Sequence, residues 1–337
     1  MKLIRIIYLG HYVRKMDWHL LFRFMRHARA SHKHSYLKQA LMMIRASLRH
    51  NISPLEFYQF ELFAQSESER DEWAGTGTMY EFQLQANPIE DREILNDKRK
   101  FYKAYRPFFR HEVHSLQELS SDSVLVGRLI SENERLVFKD ATGQCGSGVV
   151  IRKRADIDRS SMINWMRKRR LDLVETYVEQ HSDLNELSPS AVNTVRIFTL
   201  ITREGRYRTL GCRLRISVDS AVDNLAAGNL AAAIDEETGK VSGPGVYSDI
   251  TRPAESVHPV TGTRIVGFQI PYWEETLDLV HRASLLQPQN RSIGWDVVIT
   301  PQGPGLIEGN HDWCKLVWQL PVRRGLKHCI MEDGRYA

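Results

Sequence analysis

The sequence has few cysteines and no long apolar run. Its four cysteines, Cys145, Cys212, Cys314 and Cys329, form no C-x-x-C pair, so reduced thiols and no zinc site are expected. A membrane-spanning helix would need about eighteen consecutive apolar residues, and no such stretch is present. The first residues also lack the apolar segment and the cleavage site of a signal peptide. These absences predict a cytoplasmic globular protein, with peripheral membrane association as an alternative.

Acidic residues are almost missing from residues 1–50. Eleven Lys or Arg residues stand there against Asp17 alone, a net charge of +10 in a chain whose total is +5. Apolar residues at helical spacing predict two amphipathic helices broken near 31–35, and Ser53-Pro54 predicts the start of a third. A solvated basic face is the simplest interpretation, and contact with an anionic glycan or membrane surface is the alternative. The lack of a known nucleic-acid motif argues against nucleic acid as a partner.

The stretch SIGWDVVITPQGPGLIEGN, residues 292–310, predicts two short strands around a turn. If the turn is centred on Gln302, Asp296 lies directly opposite Glu308, and Asn310 shares their face. Two like charges placed opposite each other are unfavourable unless a cation lies between them. Oxygen ligands that leave positions open are typical of Mg²⁺. The alternative is a surface hairpin with its carboxylates in water, and a single bulge would turn one ligand away.

The sequence contains neither G-x-x-x-x-G-K-[ST] nor a helix-opening G-x-G-x-x-G. It does contain a glycine-rich loop at 140–148 between two predicted strands, directly after Lys139. Glycines let backbone N–H groups approach a phosphate, and the lysine supplies a charge; a loose hairpin is the alternative. Lys98 falls in the first turn of a predicted helix capped by Asn96 or Asp97. A lysine there opposes the helix dipole, so it is either exposed or directed at an anion.

Three arginines lie on predicted strands of the second half. Arg196 is surrounded by apolar residues in NTVRIFTL, so it is expected to be partly buried and to need an anionic partner. Arg213 and Arg215 share one face of the following strand, where a surface charge ladder is the alternative. The small-residue loop at 222–230 suits close approach of a ligand.

Taken in order, these segments resemble the ATP-grasp superfamily, and most narrowly its sugar-transfer-associated family. The resemblance runs from about 53 to 325. It rests on NDK at 96–98, VFKDATGQCGSG at 137–148, VETYVEQH at 174–181, SAVNTVRIFTL at 190–200, DNLAAGNL at 223–230, HPVTG at 258–262 and GWDVVITPQGPGLIEGN at 294–310. It implies an α+β fold in which two subdomains clasp ATP. The implied divisions are a helical region at 1–95, an ATP-grasp domain at 96–325 with a lid at about 130–180, and a tail at 326–337.

The resemblance also implies roles for individual positions. The nucleotide-binding positions are Lys98, Lys139, Gly143, Gln144, Cys145, Gly146, Ser147, Gly148, Glu175, Tyr177, Val178 and Glu179. The metal ligands are Asp296, Glu308 and Asn310, and the catalytic arginines are Arg196, Arg213 and Arg215. The substrate-binding positions are Asn193, Asn224, Gly228, Asn229 and His258. The chain departs from the family pattern at Gly228-Asn229, where a double glycine is expected, and in the bulky lid residues Gln144 and Cys145.

The implied activity is an ATP- and Mg²⁺-dependent ligation of a carboxylate to an amine through an acylphosphate. The association with sugar transfer suggests a glycan or small-molecule carboxylate, in the biosynthesis of a surface polysaccharide or of a conjugate between a sugar acid and an amino acid. A phosphotransferase that stops at the phosphorylated product, and a non-catalytic nucleotide-binding protein, are the alternatives.

Overall fold

The computed structural model describes residues 2–143, 148–332 and 335–336, and all their side chains except those of 2–7, 15, 332 and 335. The α-helices are α1 (Lys2–Lys15), α2 (Trp18–His32), α3 (Tyr36–His50), α4 (Pro54–Gln59), α5 (Glu67–Asp71), α6 (Thr76–Ala86), α7 (Glu93–Asn96), α8 (Lys98–Tyr105), α9 (Leu116–Ser121), α10 (Ser123–Glu132), α11 (Met162–Arg169), α12 (Ser182–Leu187), α13 (Trp273–Leu286) and α14 (Lys315–Gln319). The strands are β1 (Val113–Ser115), β2 (Arg135–Lys139), β3 (Val150–Lys153), β4 (Leu173–Thr176), β5 (Thr194–Ile201), β6 (Tyr207–Ile216), β7 (Leu230–Ile234), β8 (Ser292–Thr300), β9 (Gly303–Asn310), β10 (Met331–Glu332) and β11 (Arg335–Tyr336).

The helix starts follow local capping chemistry. Ser53 and Glu56 form a capping box at α4, with Pro54 at the first helical position. Asp97 caps α8 by accepting the N–H of Arg99. The break between α2 and α3, the Ser53 cap and the Asp97 cap are therefore confirmed.

A five-stranded antiparallel sheet, in the order β7-β6-β5-β8-β9, forms the centre of the fold. Its two faces pack into different cores because side chains alternate along each strand. Ile197 and Trp295 pack towards α8 and α13. Phe198 packs with the N-terminal helices on the other face, which is also the face of Arg196. The N-terminal helical region and the arginines therefore share one side of this sheet.

A second antiparallel sheet, β1-β4-β2-β3, packs against α9–α11 around Phe138 and Val174. It occupies residues 113–176. Backbone and side-chain hydrogen bonds join it and its neighbouring segments to the larger sheet and to α8. The N–H of Lys98 donates to the Ala141 carbonyl at 3.1 Å, and Nε of Arg110 donates to the Pro304 carbonyl at 3.0 Å. The predicted α+β architecture with an N-terminal helical region is confirmed.

Two sequence predictions differ from the structure. The alternation along 295–300 is typical of a half-buried strand, but all nine residues of β8 are buried because β5 and β9 flank it and both sheet faces are covered. The sequence at 311–337 is typical of a closing helix followed by a tail, but the α-helix there is limited to the five residues of α14, since Pro321 cannot continue an α-helix. Within the described part of the chain, no helix is long and apolar enough to span a membrane.

Candidate active site

Two adjoining cavities lie between the two sheets. The valine-lined cavity, of about 260 Å³, has walls that include Val137, Val178 and Val192. The Trp313 cavity, of about 210 Å³, is lined by aromatic and polar groups that include Trp313 and His311. The residues shared by both linings are Lys98, Gly143, Arg215, Asn224 and Glu308. Charged groups of both signs therefore stand at the junction of the two cavities.

The predicted carboxylate pair stands at this junction. Asp296 on β8 pairs directly with Glu308 on β9, as predicted, but by a different route. The turn is tighter than expected, with Thr300 opposite Gly303, and regular pairing from there would put Ile307 opposite Asp296. A β-bulge after Asp296 absorbs the extra residue and restores the pairing with Glu308.

The two carboxylates have different electrostatic surroundings. Asp296 is 2% exposed, and burial alone would raise the pKa of its carboxyl. The charges of Arg196 and Arg215 outweigh burial and hold that pKa far below its ordinary value. Burial and the neighbouring charge of Asp296 raise the pKa of Glu308. Its neighbour Asn310 donates to it from Nδ2 at 3.2 Å.

The arginines Arg196 and Arg215 bind the same carboxylate. Nη2 of Arg196 and Nη1 of Arg215 donate to Asp296 Oδ2 at 2.7 and 2.8 Å. Arg215 also pairs with Asp223 at 2.6 Å, and Asp223 accepts the backbone N–H of Thr194 at 3.0 Å. Asp223 was not predicted as a site residue. The sequence could have indicated Asp223, because two buried arginines need more than one anionic partner.

The donor set at 296–310 fits a divalent cation. A like-charged carboxylate pair raises the free energy of the ionised site, and a bound cation would relieve this repulsion. Among the described residues, no cluster of three or more His, Cys, Asp or Glu side chains could hold a metal. Asp296, Glu308 and the Asn310 carboxamide therefore offer only a partial oxygen shell, in which both oxygens of Asp296 already accept from Arg196 and Arg215. Phosphate oxygens would have to complete the coordination of a bound Mg²⁺.

Two lysines line the cavities: Lys98 lines both, and Lys139 lines the valine-lined cavity. Lys98 hydrogen-bonds through Nζ to the carbonyl of Gly143. Lys139 pairs with Glu175 at 2.6 Å. Burial raises the pKa of Glu175, but Lys139 and His111 lower it to about 2. His111 was not singled out from the sequence; it is 8% exposed, and its Nδ1 has no hydrogen-bond partner among the described residues.

The remaining nucleotide-binding predictions fall in the lid and in the segment directly after β4, which ends at Thr176. Tyr177 and Val178 line the valine-lined cavity, and the guanidinium of Arg135 lies 3.7 Å from the centre of the Tyr177 ring. Glu179 is exposed and lines a separate surface cavity. Gly148 has a φ of 75°, in the left-handed region that favours glycine. Four lid residues lie outside the described part of the chain: Gln144, Cys145, Gly146 and Ser147.

Four predicted site residues have structural partners instead. Arg213, 3% exposed, donates from Nε to the Trp318 carbonyl at 2.9 Å and is absent from the described lining of both cavities. A backbone carbonyl rather than a phosphate is thus its partner. The other three are Asn193, Asn229 and His258, which are at most 2% exposed.

These three side chains hold the end of β6 and the loop after it. Asn193 Oδ1 accepts the N–H of Ser217 at 2.9 Å, and Asn229 Oδ1 accepts the N–H of Val218 at 2.7 Å. The His258 ring bonds to the Ser217 carbonyl at 2.9 Å. The polar atoms of these side chains already have hydrogen-bond partners inside the protein. Their positions therefore do not support a direct contact with substrate.

The other two predicted substrate positions lie in the loop before β7. Asn224 lines both cavities and caps the short turn at 225–227 by accepting the N–H of Ala226. Gly228 ends that turn with a φ of 87°, and its carbonyl accepts from Arg252 at 3.2 Å. Asn224 is therefore the member of the substrate set that the structure brings to the cavities.

A family model described as sugar-transfer associated ATP-grasp matches residues 78–332. Among curated proteins, no significant match is found. The match covers most of the chain, including all the cavity-lining residues named above.

Solved structures similar to this chain include a ligase, a synthetase and a carboxylase domain. An L-amino acid ligase from Bacillus licheniformis is 14% identical, with a TM-score of 0.40, over 66% of this chain and 42% of that chain. A D-alanyl-alanine synthetase from Vibrio cholerae is 12% identical, with a TM-score of 0.42, over 73% and 63%. The biotin carboxylase domain of a Hydrogenobacter thermophilus 2-oxoglutarate carboxylase, in complex with MgADP, is 12% identical, with a TM-score of 0.38, over 68% and 46%. The chain thus spans between 42% and 63% of the length of these solved chains.

Proposed function

Because the chain belongs to the sugar-transfer-associated ATP-grasp family, we propose that it is a Mg²⁺- and ATP-dependent ligase that joins a carboxylate to an amine. The observation that carries the proposal is the Asp296–Glu308 pair at the junction of two cavities. One cavity has the size and apolar walls for a nucleotide base, and the other offers polar groups for an acceptor. Group transfer between two bound molecules requires such a junction.

The nucleotide would occupy the valine-lined cavity, with its phosphates towards Lys98 and Lys139. Lys139 is now paired with Glu175, so that nucleotide binding would give this lysine a second anionic partner. Asp296, Glu308 and Asn310 would hold Mg²⁺, which when bound neutralises phosphate charge during transfer. In phosphoryl transfer, the main contributions of the protein are to position the reactants and to neutralise charge.

The acceptor carboxylate would enter the Trp313 cavity near Arg196 and Arg215. Its oxygen attacks the γ-phosphorus, the bond to the β-phosphate oxygen breaks, and ADP leaves. An amine nitrogen then attacks the acyl carbon of the acylphosphate, and phosphate leaves as the amine loses a proton. A closed lid would exclude the water that otherwise hydrolyses the intermediate.

The acceptor is proposed to be a sugar acid, an amino acid, or a glycan that carries such a group. The description of the family, which associates it with sugar transfer, supports this choice. The aromatic and polar lining of the Trp313 cavity, with Phe101, Asn96 and His311, suits a hydroxylated ring.

The proposal is tested by incubating the purified protein with Mg²⁺, ATP and pools of uronic acids and amino acids. We expect ADP and phosphate only when a carboxylate and an amine are both present. The Glu308→Gln variant should lose at least about a hundredfold in kcat/KM, whereas Glu274→Gln, exposed on α13, should match the wild type.

Other products would contradict the proposal in different ways. ADP with one acceptor and a stable phosphorylated product would make the protein a kinase. AMP would indicate pyrophosphoryl or adenylyl transfer. Wild-type turnover in Glu308→Gln would remove the carboxylate pair from the chemistry.

A further inference from the structure

Helix α3 exposes an apolar stripe on the side opposite its buried face. It buries Gln39 and Ala46, while Leu37, Leu41 and Ile44 are 72%, 61% and 42% exposed. Steps of about 100° per residue place these three side chains within an arc of about 60°. A helix at the surface of a soluble protein normally directs polar residues to that side. The stripe is thus an apolar surface that the rest of the described chain leaves in contact with solvent.

The neighbouring helix α2 exposes two large aromatic rings. Trp18 and Phe22 are 49% and 55% exposed, and their ring centroids lie 6.1 Å apart. Helices α2 and α3 are consecutive in the chain and in contact with each other. One helical hairpin therefore carries both groups of exposed apolar side chains. Tryptophan is favoured where a membrane meets water because its ring is amphipathic.

Positive charge accompanies these apolar residues. Arg26, Arg29, Lys33 and Lys38 are all exposed on the same hairpin, in a segment whose net charge is +10. Some other charges of the segment are compensated, since Arg23 pairs with Asp249 at 2.7 Å. Part of the positive charge of the segment therefore lies around the connection between α2 and α3, next to Leu37 and Leu41.

We propose that α2 and α3 dock this chain onto the surface of an anionic lipid bilayer. Leu37, Leu41 and Ile44 would enter the boundary between headgroups and acyl chains, and the basic residues would contact lipid phosphates. A polyanionic glycan would match the charge but would leave the leucines in water. A second copy of the chain would cover the leucines but would bring another +10 to the same place. A bilayer matches both properties, and the proposal is independent of the chemistry of the ATP site.

The test is co-sedimentation of the full chain with phosphatidylcholine vesicles, with and without phosphatidylglycerol. We expect binding at least about tenfold tighter to the anionic vesicles, weakened by added salt. The double variant Leu37→Ser/Leu41→Ser should lose at least about tenfold in affinity for them. Both side chains are more than half exposed, so its unfolding midpoint should stay at the wild-type value.

The matched control is Ile89→Ser/Val124→Ser, which removes two side chains that are 72% and 77% exposed outside the hairpin. It should bind vesicles as the wild type does. Equal binding to neutral and anionic vesicles, or wild-type affinity in the leucine variant, would overturn the proposal. A dimer that the leucine variant abolishes would identify a second copy as the partner. Binding to an anionic polysaccharide that the leucine variant leaves unchanged, without vesicle binding, would identify a glycan.

Discussion

The side chains of Asp296 and Glu308 face each other across two strands, yet they contribute oppositely to stability. Asp296 compensates the charges of Arg196 and Arg215 inside the protein. Glu308 adds a second negative charge beside it, and burial opposes its ionisation. Of the two carboxylates that would bind a cation, Asp296 therefore stabilises the fold, whereas Glu308 destabilises it when ionised.

This difference predicts opposite effects of two conservative substitutions on stability. Asp296→Asn leaves two buried guanidinium groups without their full charge partner, and should lower the free energy of unfolding by about 3 kcal/mol or more. Glu308→Gln removes a repulsive charge, and should leave that free energy unchanged or raise it. Urea unfolding of both variants without Mg²⁺ measures the contrast. Equal destabilisation by the two substitutions would contradict it.

The pH dependence gives this comparison a second readout. Since the folded-state pKa of Glu308 lies above its ordinary value of 4.5, the native protein retains a proton that the unfolded chain releases. Glu308 therefore costs stability as pH rises above 4.5 and through its folded-state pKa. The advantage of Glu308→Gln over the wild type should grow across that range. An advantage that is constant with pH would show that charge is not its cause.

Two residues of the same type within one loop can have different roles. Asn229 and Asn224 belong to the same loop, but Asn229 is fully buried and donates to the Val222 carbonyl at 2.7 Å. Asn224 lies at the cavities and caps a short turn. One asparagine supports the loop, and the other is available to a ligand.

We therefore expect Asn229→Ala to lower the free energy of unfolding by about 2 kcal/mol or more, because it leaves buried backbone groups unsatisfied. Asn224→Ala should cost about 1 kcal/mol or less, as for the loss of an exposed cap. Its main effect should be a higher KM for the acceptor. Chemical unfolding and steady-state kinetics on both variants separate the two roles. A larger stability loss in Asn224→Ala would reverse the assignment.

At the level of the complete fold, the cavities exist only because the two sheets face each other. Lys139 and Glu175 come from the smaller sheet, Asp296 and Glu308 from the larger one, and Lys98 from α8. A ligand that contacts both sheets and α8 should stabilise the whole folded protein, since it binds the folded state alone.

A non-hydrolysable ATP analogue with Mg²⁺ should consequently raise the melting temperature. The expected gain is about 2.7 kcal/mol at a hundredfold excess over Kd. Lys139→Ala should lose most of the gain, and Glu308→Gln should lose its Mg²⁺-dependent part. Lys240→Ala, exposed in a hairpin turn, serves as the control. A full shift in Lys139→Ala would place the nucleotide elsewhere.

The sequence by itself determined the local features of this protein. Hydrophobic periodicity and capping residues predicted α2, α3 and the starts of α4 and α8, but not α1, because these features depend on neighbours within a few residues. The order of segments predicted the fold and several of the charged residues that line the cavities, among them Lys98, Lys139 and Glu308. The pairing of Asp296 with Glu308 was also predicted, although a bulge at Ile307 rather than the length of the turn produces it.

Only the tertiary structure separated residues that share a local pattern. Arg213 and Arg215 lie on one face of one strand, but the Trp318 carbonyl reaches the first, and Asp223 and Asp296 reach the second. Asp223 joins the site from the loop that follows β6. Periodicity fixes the face on which a side chain lies, but its partner is set by whichever distant element packs over that face. Site residues defined by such long-range contacts therefore became visible only in the folded molecule.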